Sequence, residues 1–103
     1  RTLASLYDLI PPRTRVSNRT VPRKAGTWSH ARIVVHPDLK IEHWLNGFKV
    51  VAYEKDSPLF RALVARSKYA GIDGFAQVPD TAIHLQDHGD EVRFRSIKIR
   101  ELE

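Results

Sequence analysis

Hydrophobic and polar residues alternate along much of this chain, which is typical of strands that bury one face. Alternating runs of this kind predict strands at 3–10, 28–36, 40–45, 48–54, 82–88 and 92–102. Apolar residues at helical spacing occur over Leu59–Tyr69, after Ser57-Pro58, which suit an N-cap and a first helical position. The pattern therefore predicts a mainly β protein with one short helix.

The sharpest local prediction is a β-hairpin over Lys40–Glu54. Asn46-Gly47 is the strongest short hairpin signal, because both residues tolerate positive φ. A two-residue turn with continuous register sets residues in opposed pairs, Leu45 with Phe48, Trp44 with Lys49, His43 with Val50 and Ile41 with Ala52. His43 then falls on the apolar face, so we interpret it as a packed, hydrogen-bonded histidine rather than a catalytic one.

Two other stretches are less regular. Pro11–Gly26 is polar, basic and contains three prolines, which predicts a long connection. In the last strand, Val92 and Phe94 share one parity and Ile97 and Ile99 share the other. A bulge near Arg95-Ser96 would return all four to the core, and the alternative is an edge-strand bulge with a solvated arginine.

These elements predict an all-β fold, an antiparallel sandwich over residues 1–103 as a single domain. About six strands are few for two sheets of a jelly roll. The chain also begins with Arg1 rather than Met. We therefore expect the C-terminal part of a larger jelly-roll domain, whose missing N-terminal half is its structural partner.

Composition narrows the class of protein. No apolar run approaches the roughly 20 residues that span a bilayer, so no membrane span is expected. The absence of cysteine excludes disulfides and thiolate chemistry but leaves the compartment open. Residues 1–30 hold six basic residues against one acidic residue, whereas 31–103 hold eleven of each. A basic excess confined to one connection without interleaved aromatic residues argues against nucleic-acid binding.

Candidate chemistry lies in the segment from Ala82 to Gly89. In a strand, His84, Gln86 and His88 share one face, and Asp87 follows where the chain must turn. Imidazole, amide and carboxylate groups suit proton transfer and recognition of hydroxyl groups. A solvated polar face is the alternative reading. His84 and His88 are roughly 13 Å apart along a strand, too far to bind one ion without a turn between them. We therefore predict no cofactor, with a metal ion bound across such a turn as the alternative.

Several motifs together resemble a known family. They are Leu6-Tyr7-Asp8-Leu9-Ile10-Pro11-Pro12, Gly26-Thr27-Trp28, His43-Trp44-Leu45-Asn46-Gly47, Ser67-Lys68-Tyr69, Leu85-Gln86-Asp87-His88-Gly89 and Phe94-Arg95-Ser96-Ile97-Lys98-Ile99-Arg100. This set resembles the C-terminal portion of the 3-keto-disaccharide hydrolase domain family, a concanavalin-like jelly roll. The resemblance extends over nearly the whole chain.

The resemblance implies a bacterial periplasmic or secreted enzyme that acts on carbohydrates oxidised at C3. It implies His88 as general base or acid, with Asp87 orienting it or sharing the proton transfer. Six further residues are expected to bind substrate: Gln86 and His84 at hydroxyls, Lys68 or Arg95 at the ketone, Tyr7 as a hydroxyl and Trp44 as a stacking surface. The alternative is a non-catalytic carbohydrate-binding jelly roll, since a fold does not by itself confer activity.

Overall fold

The computed structural model describes residues 3–77, 82–87 and 89–102. Its regular elements, in chain order, are β1 (Arg15–Val16), β2 (Arg19–Thr20), β3 (Ala31–Val35), β4 (Lys40–Leu45), β5 (Phe48–Glu54) and α1 (Pro58–Ala65). The strands form a two-stranded sheet and a three-stranded sheet of order β3-β4-β5, both antiparallel. This architecture of antiparallel sheets and one short helix confirms the predicted fold class.

The β4–β5 hairpin forms where the sequence predicts it. Asn46 and Gly47 have φ of 50° and 86°, in the left-handed region that a two-residue hairpin turn requires. The Asn46 side chain also ties the turn to other segments. Its Oδ1 accepts from the His30 backbone N–H at 2.8 Å, and its Nδ2 donates to the Pro22 carbonyl at 2.6 Å. The turn is therefore fixed by tertiary contacts as well as by its own geometry.

The continuous register predicted for this hairpin is wrong beyond its first two pairs. Leu45 faces Phe48 and Trp44 faces Lys49, but a bulge then sets His43 opposite Val51 and Ile41 opposite Tyr53. A bulge lets two consecutive residues turn towards the same side. Val50 and Val51 are accordingly both buried, whereas Ala52 is exposed.

The core lies on one face of the three-stranded sheet. Its buried cluster is Val21, Leu45, Val50 and Val51, against which partly buried apolar residues pack, Ala4, Leu6, Ile10, Val16, Phe48 and Tyr53 among them. Burial of such a side chain contributes roughly 1.5–3 kcal/mol. The N-terminal third of the chain thus covers β4 and β5.

His43 is packed and hydrogen-bonded, as the sequence predicts. Its Nδ1 lies 2.9 Å from the Ala4 carbonyl oxygen, and its Nε2 lies 3.2 Å from the Tyr53 hydroxyl. A carbonyl only accepts, so Nδ1 carries the proton, and in the neutral ring Nε2 accepts from the hydroxyl. Both ring nitrogens of this buried histidine are therefore occupied by structural partners.

The N-terminal strand predicted at residues 3–10 is absent. The segment forms turns, with Ala4 and Asp8 at φ of 68° and 60°, and closes on itself through a bridge between Leu6 and Ile10. Local turn bonds satisfy the backbone groups that a strand would offer to a partner.

The long basic connection is partly structured. Ser17 and Asn18, both at positive φ, turn β1 into β2, and the Arg13 N–H donates to the Val50 carbonyl at 2.9 Å. Each of these two strands has only two residues, which is too short for an alternating pattern to be recognised. The sequence therefore does not predict this hairpin.

Helix α1 begins as predicted and ends early. The Ser57 side chain accepts from the Phe60 N–H, and Pro58 opens the helix. The helix ends at Ala65 rather than Tyr69, and the Ser67 hydroxyl donates to the Val64 carbonyl just beyond it. That turn carries Lys68 out of the helix.

The strands predicted at 82–88 and 92–102 are not formed by the described residues. Residues 82–87 and 91–102 have no regular secondary structure, and their apolar side chains are exposed, up to 82 % for Ile99. A strand needs a neighbour for its backbone groups, and no described strand pairs with either segment. The bulge predicted near Arg95-Ser96 is also wrong, because this segment pairs with no described strand and Val92, Phe94, Ile97 and Ile99 are all exposed. Ser96 instead lies in an unpaired segment with a φ of 54°.

Among the described residues, no helix has the length and apolar character needed to cross a bilayer.

Candidate active site

The structure brings two predicted site residues, Lys68 and Tyr7, into contact. The Lys68 ammonium lies 4.8 Å from the centre of the Tyr7 ring and 5.4 Å from that of Tyr69. Both distances are within the range of a cation–π interaction. Tyr7 lies in the N-terminal turn and Lys68 follows α1, so two distant parts of the chain build this group.

Asp8 completes the group, and the sequence analysis gave it no role of its own. Its Oδ2 lies 2.9 Å from the Lys68 Nζ, and its side chain is only 17 % exposed. The φ of 60° at Asp8 is a conformation that aspartate tolerates better than most residues. Asp8 is distinguished in the sequence as the single acidic residue among the first thirty, but nothing in the sequence indicates that its partner is Lys68.

The Asp8 carboxylate reinforces the positive charge of Lys68. The hydrogen bond that Lys68 donates to the Asp8 carboxylate is the main cause that raises the pKa of Lys68 above its usual value. The lysine is therefore an ammonium at physiological pH, unsuited to act as a base and suited to stabilise negative charge on an oxygen. Because Lys68 is half exposed, this ammonium remains accessible to a ligand.

A local turn holds this lysine in place. The Ser67 hydroxyl, which donates to Val64, also accepts from the Tyr69 N–H at 3.1 Å. The Tyr69 ring in turn stacks on Phe75, with centroids 4.3 Å apart and planes 7° from parallel. Residues on both sides of Lys68 are thus anchored.

A shallow cavity of about 200 Å³ lies beside Asp8, lined also by Ser5, Leu6, Leu9, Ile10 and Pro11. Cavities for small ligands usually measure roughly 300–1,000 Å³. This cavity is therefore smaller than the usual site for a small ligand.

Trp44 belongs to a second group on the opposite face of the sheet from the core. Its indole N–H donates to Glu42 Oε1 at 2.8 Å, and the Arg32 guanidinium lies 4.9 Å from its ring centre. His36 Nε2 lies 2.7 Å from the other Glu42 oxygen. Hydrogen bonds from His36 first and Trp44 second lower the pKa of Glu42. Trp44 is therefore half-buried within a polar network.

Arg95 forms a third group with Trp28. Its guanidinium carbon is 3.8 Å from the centre of the Trp28 ring, which is a close stacking contact. This contact holds the C-terminal segment near the residues that precede β3. Arg95 is thereby engaged with an aromatic ring, whereas Lys68 is paired with a carboxylate.

The remaining predicted residues come from the sequence segment before Gly89. His84, Gln86 and Asp87 are all exposed, outside any strand, so the single polar strand face expected for them is not formed. His88 lies outside the described residues. Among the described residues, no three His, Asp, Glu or Cys side chains are grouped so as to hold a metal ion.

Comparison with known proteins supports the family resemblance that the sequence motifs indicate. Residues 1–100 match a family described as the 3-keto-alpha-glucoside-1,2-lyase-like domain. A curated relative from Bacteroides thetaiotaomicron, named 3-keto-disaccharide hydrolase, is 29% identical over 123 residues. The match covers all of this chain and 37% of the relative, so the chain spans little more than a third of that protein's length. The family's sandwich fold fits the antiparallel sheets described above, and this chain belongs to the 3-keto-alpha-glucoside-1,2-lyase-like domain family.

Proposed function

We propose that this chain supplies part of the active site of an enzyme that cleaves 3-keto-glycosides by acid–base chemistry at C2 and C1. The observation that carries the proposal is the Lys68 ammonium, paired with Asp8 and flanked by Tyr7 and Tyr69. Family membership and the name of the relative support the same substrate class. The assignment concerns the whole protein, of which this chain is a partial domain.

The chemistry requires a fixed cation. A C3 ketone acidifies the hydrogen at C2, so a base can remove that proton and leave an enolate whose charge rests on the C3 oxygen. The C1–O bond then breaks, and the leaving oxygen takes a proton from a general acid. Water can add across the new C1–C2 double bond, its hydroxyl at C1 and its proton at C2, which completes net hydrolysis. A positioned ammonium lowers the energy of the enolate.

We assign Lys68 to the C3 oxygen, with Asp8 as the positioning residue that orients the ammonium. Tyr7, whose ring lies against that cation, carries the hydroxyl in this proposal. Arg95 is the weaker candidate for the ketone, because its guanidinium stacks on Trp28. Two carboxylates across the scissile bond, as in ordinary glycosidases, are not required by this scheme.

The base and the general acid come from the Gln86–His88 segment in this proposal. His88 transfers the proton, with Asp87 orienting it or sharing the transfer. His84 and Gln86 contact sugar hydroxyls, and Trp44 is the weaker candidate for a stacking surface, because the Arg32 guanidinium already lies over its ring. The exposure of His84, Gln86 and Asp87 leaves them available to a substrate.

The test uses the full-length protein and a 3-keto-disaccharide, with release of the 3-keto sugar and the aglycone sugar followed by chromatography. Lys68→Met should lower kcat roughly 10²–10³-fold, the usual effect of removing one charge-stabilising donor. Lys98→Met, an exposed lysine in the C-terminal segment, is the matched control and should retain full activity. Equal rates for the two variants would refute the role of Lys68.

His88 is tested separately. If wild type and His88→Ala release sugar equally, the proton-transfer assignment is wrong even where Lys68 proves essential. If wild type binds the sugar and releases nothing, the protein is the non-catalytic carbohydrate-binding module instead. That alternative has less support, because an arginine covers a face of both Trp28 and Trp44.

We further propose that the protein is periplasmic or secreted in a bacterium. A chain without cysteine needs no particular redox environment, so this proposal rests on the substrate class. Fractionation of the native host should place the full-length protein outside the cytoplasm. Recovery with cytoplasmic markers would overturn it.

A further inference from the structure

Strand β3 forms an uncovered edge of the three-stranded sheet. It pairs only with β4 among the described residues, whereas the outer side of β5 receives a hydrogen bond from Arg13. An open edge presents unpaired backbone donors and acceptors that can bind another strand.

The hydrogen-bond pattern shows which residues of β3 face this edge. The His36 N–H donates to the Lys40 carbonyl, and the Asn46 N–H donates to the His30 carbonyl. In an antiparallel ladder, hydrogen-bonded pairs alternate with pairs that direct their backbone groups outward. Since the β3–β4 register is continuous, the backbone groups of Ala31, Ile33 and Val35 point away from β4.

The same three residues carry uncovered apolar side chains. They lie opposite Leu45, His43 and Ile41, which are buried, so they share the core face of the sheet. Nevertheless, Ile33 is 66% exposed and Val35 is 54% exposed. None of the three is a proline or a charged residue, the usual means of protecting an edge strand.

The same three residues of β3 have outward backbone groups and exposed apolar side chains. We therefore propose that β3 is an interior strand in the full-length protein. Its outer edge binds a β-strand of the same polypeptide that lies outside residues 1–103 and is apolar at alternate positions, so that it covers Ile33 and Val35. The relative extends far beyond the matched region, which provides chain for such a strand. The segment 91–102 is present in the structure and does not take this position.

Amide hydrogen exchange in the full-length protein tests the pairing. The amides of Ala31, Ile33 and Val35 should exchange roughly 100-fold or more slowly than unprotected amides. Arg32 and Val34 serve as internal controls, because β4 protects their amides whether or not a further strand binds. Unprotected exchange at the three outward residues with slow exchange at the controls would overturn the proposal.

The occupant is identified by a photo-activated benzophenone side chain placed at Ala31, with cross-linked peptides read by mass spectrometry. We expect a cross-link to a segment of the same molecule outside residues 1–103. A cross-link to residues 89–102, or to a second copy of the protein, would show a different occupant and contradict the proposal. Neither hydrogen exchange nor cross-linking depends on catalysis. Failure of this proposal is therefore distinguishable from failure of the proposed function.

Discussion

At the residue scale, the role of a polar side chain depends on the groups that it contacts. His43 has both ring nitrogens bonded within the core, to Ala4 and to Tyr53. Lys68 has a carboxylate partner and an open side. The sequence supports the structural role of His43 because its neighbours at alternate positions are apolar. It cannot indicate the Asp8 partner of Lys68, which lies sixty residues away along the chain.

Leu45 should be a major contributor to stability. Its side chain is fully buried in the core cluster. Leu45→Ala should lower the free energy of unfolding by about 2–5 kcal/mol, the usual cost of deleting buried methyl groups. Leu59→Ala, in an exposed helical position, should change it by less than about 0.5 kcal/mol. Urea unfolding of the full-length variants measures both, and comparable losses would contradict the described core.

Tyr53 should titrate late. Burial raises the pKa of Tyr53 to about 12, from an ordinary value of 10.0. Because the folded-state pKa is raised, the stability contributed by the neutral phenol is complete below pH 10 and is lost as pH rises towards 12. The difference in absorbance at 295 nm between wild type and Tyr53→Phe isolates this phenol. Titration near pH 10 in the folded protein would show that Tyr53 is not buried.

At the element scale, strong local signals predicted the β4–β5 hairpin and the start of α1. Asn46-Gly47 and Ser57-Pro58 act through their own backbone preferences, so they need little from the rest of the chain. The bulge beside Trp44 and Lys49 was not predictable, because either register preserves an alternating pattern in the sequence. Packing decided it, by burying Val50 and Val51 together.

The Asn46 side chain should stabilise this hairpin beyond its turn preference. Asn46→Gly keeps a residue that adopts positive φ but removes the bonds to His30 and Pro22. We expect a loss of about 0.5–1.5 kcal/mol in unfolding free energy, the usual net contribution of a hydrogen bond, because His30 and Pro22 are exposed and water can replace the lost partner. Thermal unfolding of the full-length protein checks it. An unchanged midpoint would mean that the turn conformation alone matters.

At the scale of the whole molecule, the described residues expose many large apolar side chains. Ile33 and Val35 on β3 share this exposure with Ile83, Phe94 and Ile99 from the C-terminal region. Large exposed apolar surfaces on a soluble protein mark sites of interaction. This surface is consistent with a partial domain, as is the 37% coverage of the relative.

The isolated segment 1–103 should therefore bind the hydrophobic dye ANS strongly, and the full-length protein should bind it weakly. The physical reason is that strands from the remainder of the domain cover the β3 edge and the C-terminal apolar residues. Fluorescence at matched concentrations, with size-exclusion chromatography to detect aggregates, measures the difference. Equal dye binding by both proteins would contradict a shared core.

The sequence by itself determined the features that depend on near neighbours: the antiparallel class, the Asn-Gly hairpin, the cap of α1 and the family motifs. Tertiary structure alone decided the register shift in β5, the turns in place of the first strand, and the pairing of Lys68 with Asp8 and Tyr7. The reason is that alternation reports only a tendency to form strands. A strand exists where another strand accepts its backbone bonds, and for the predicted strands at 82–88 and 92–102 no such neighbour is present among the described residues.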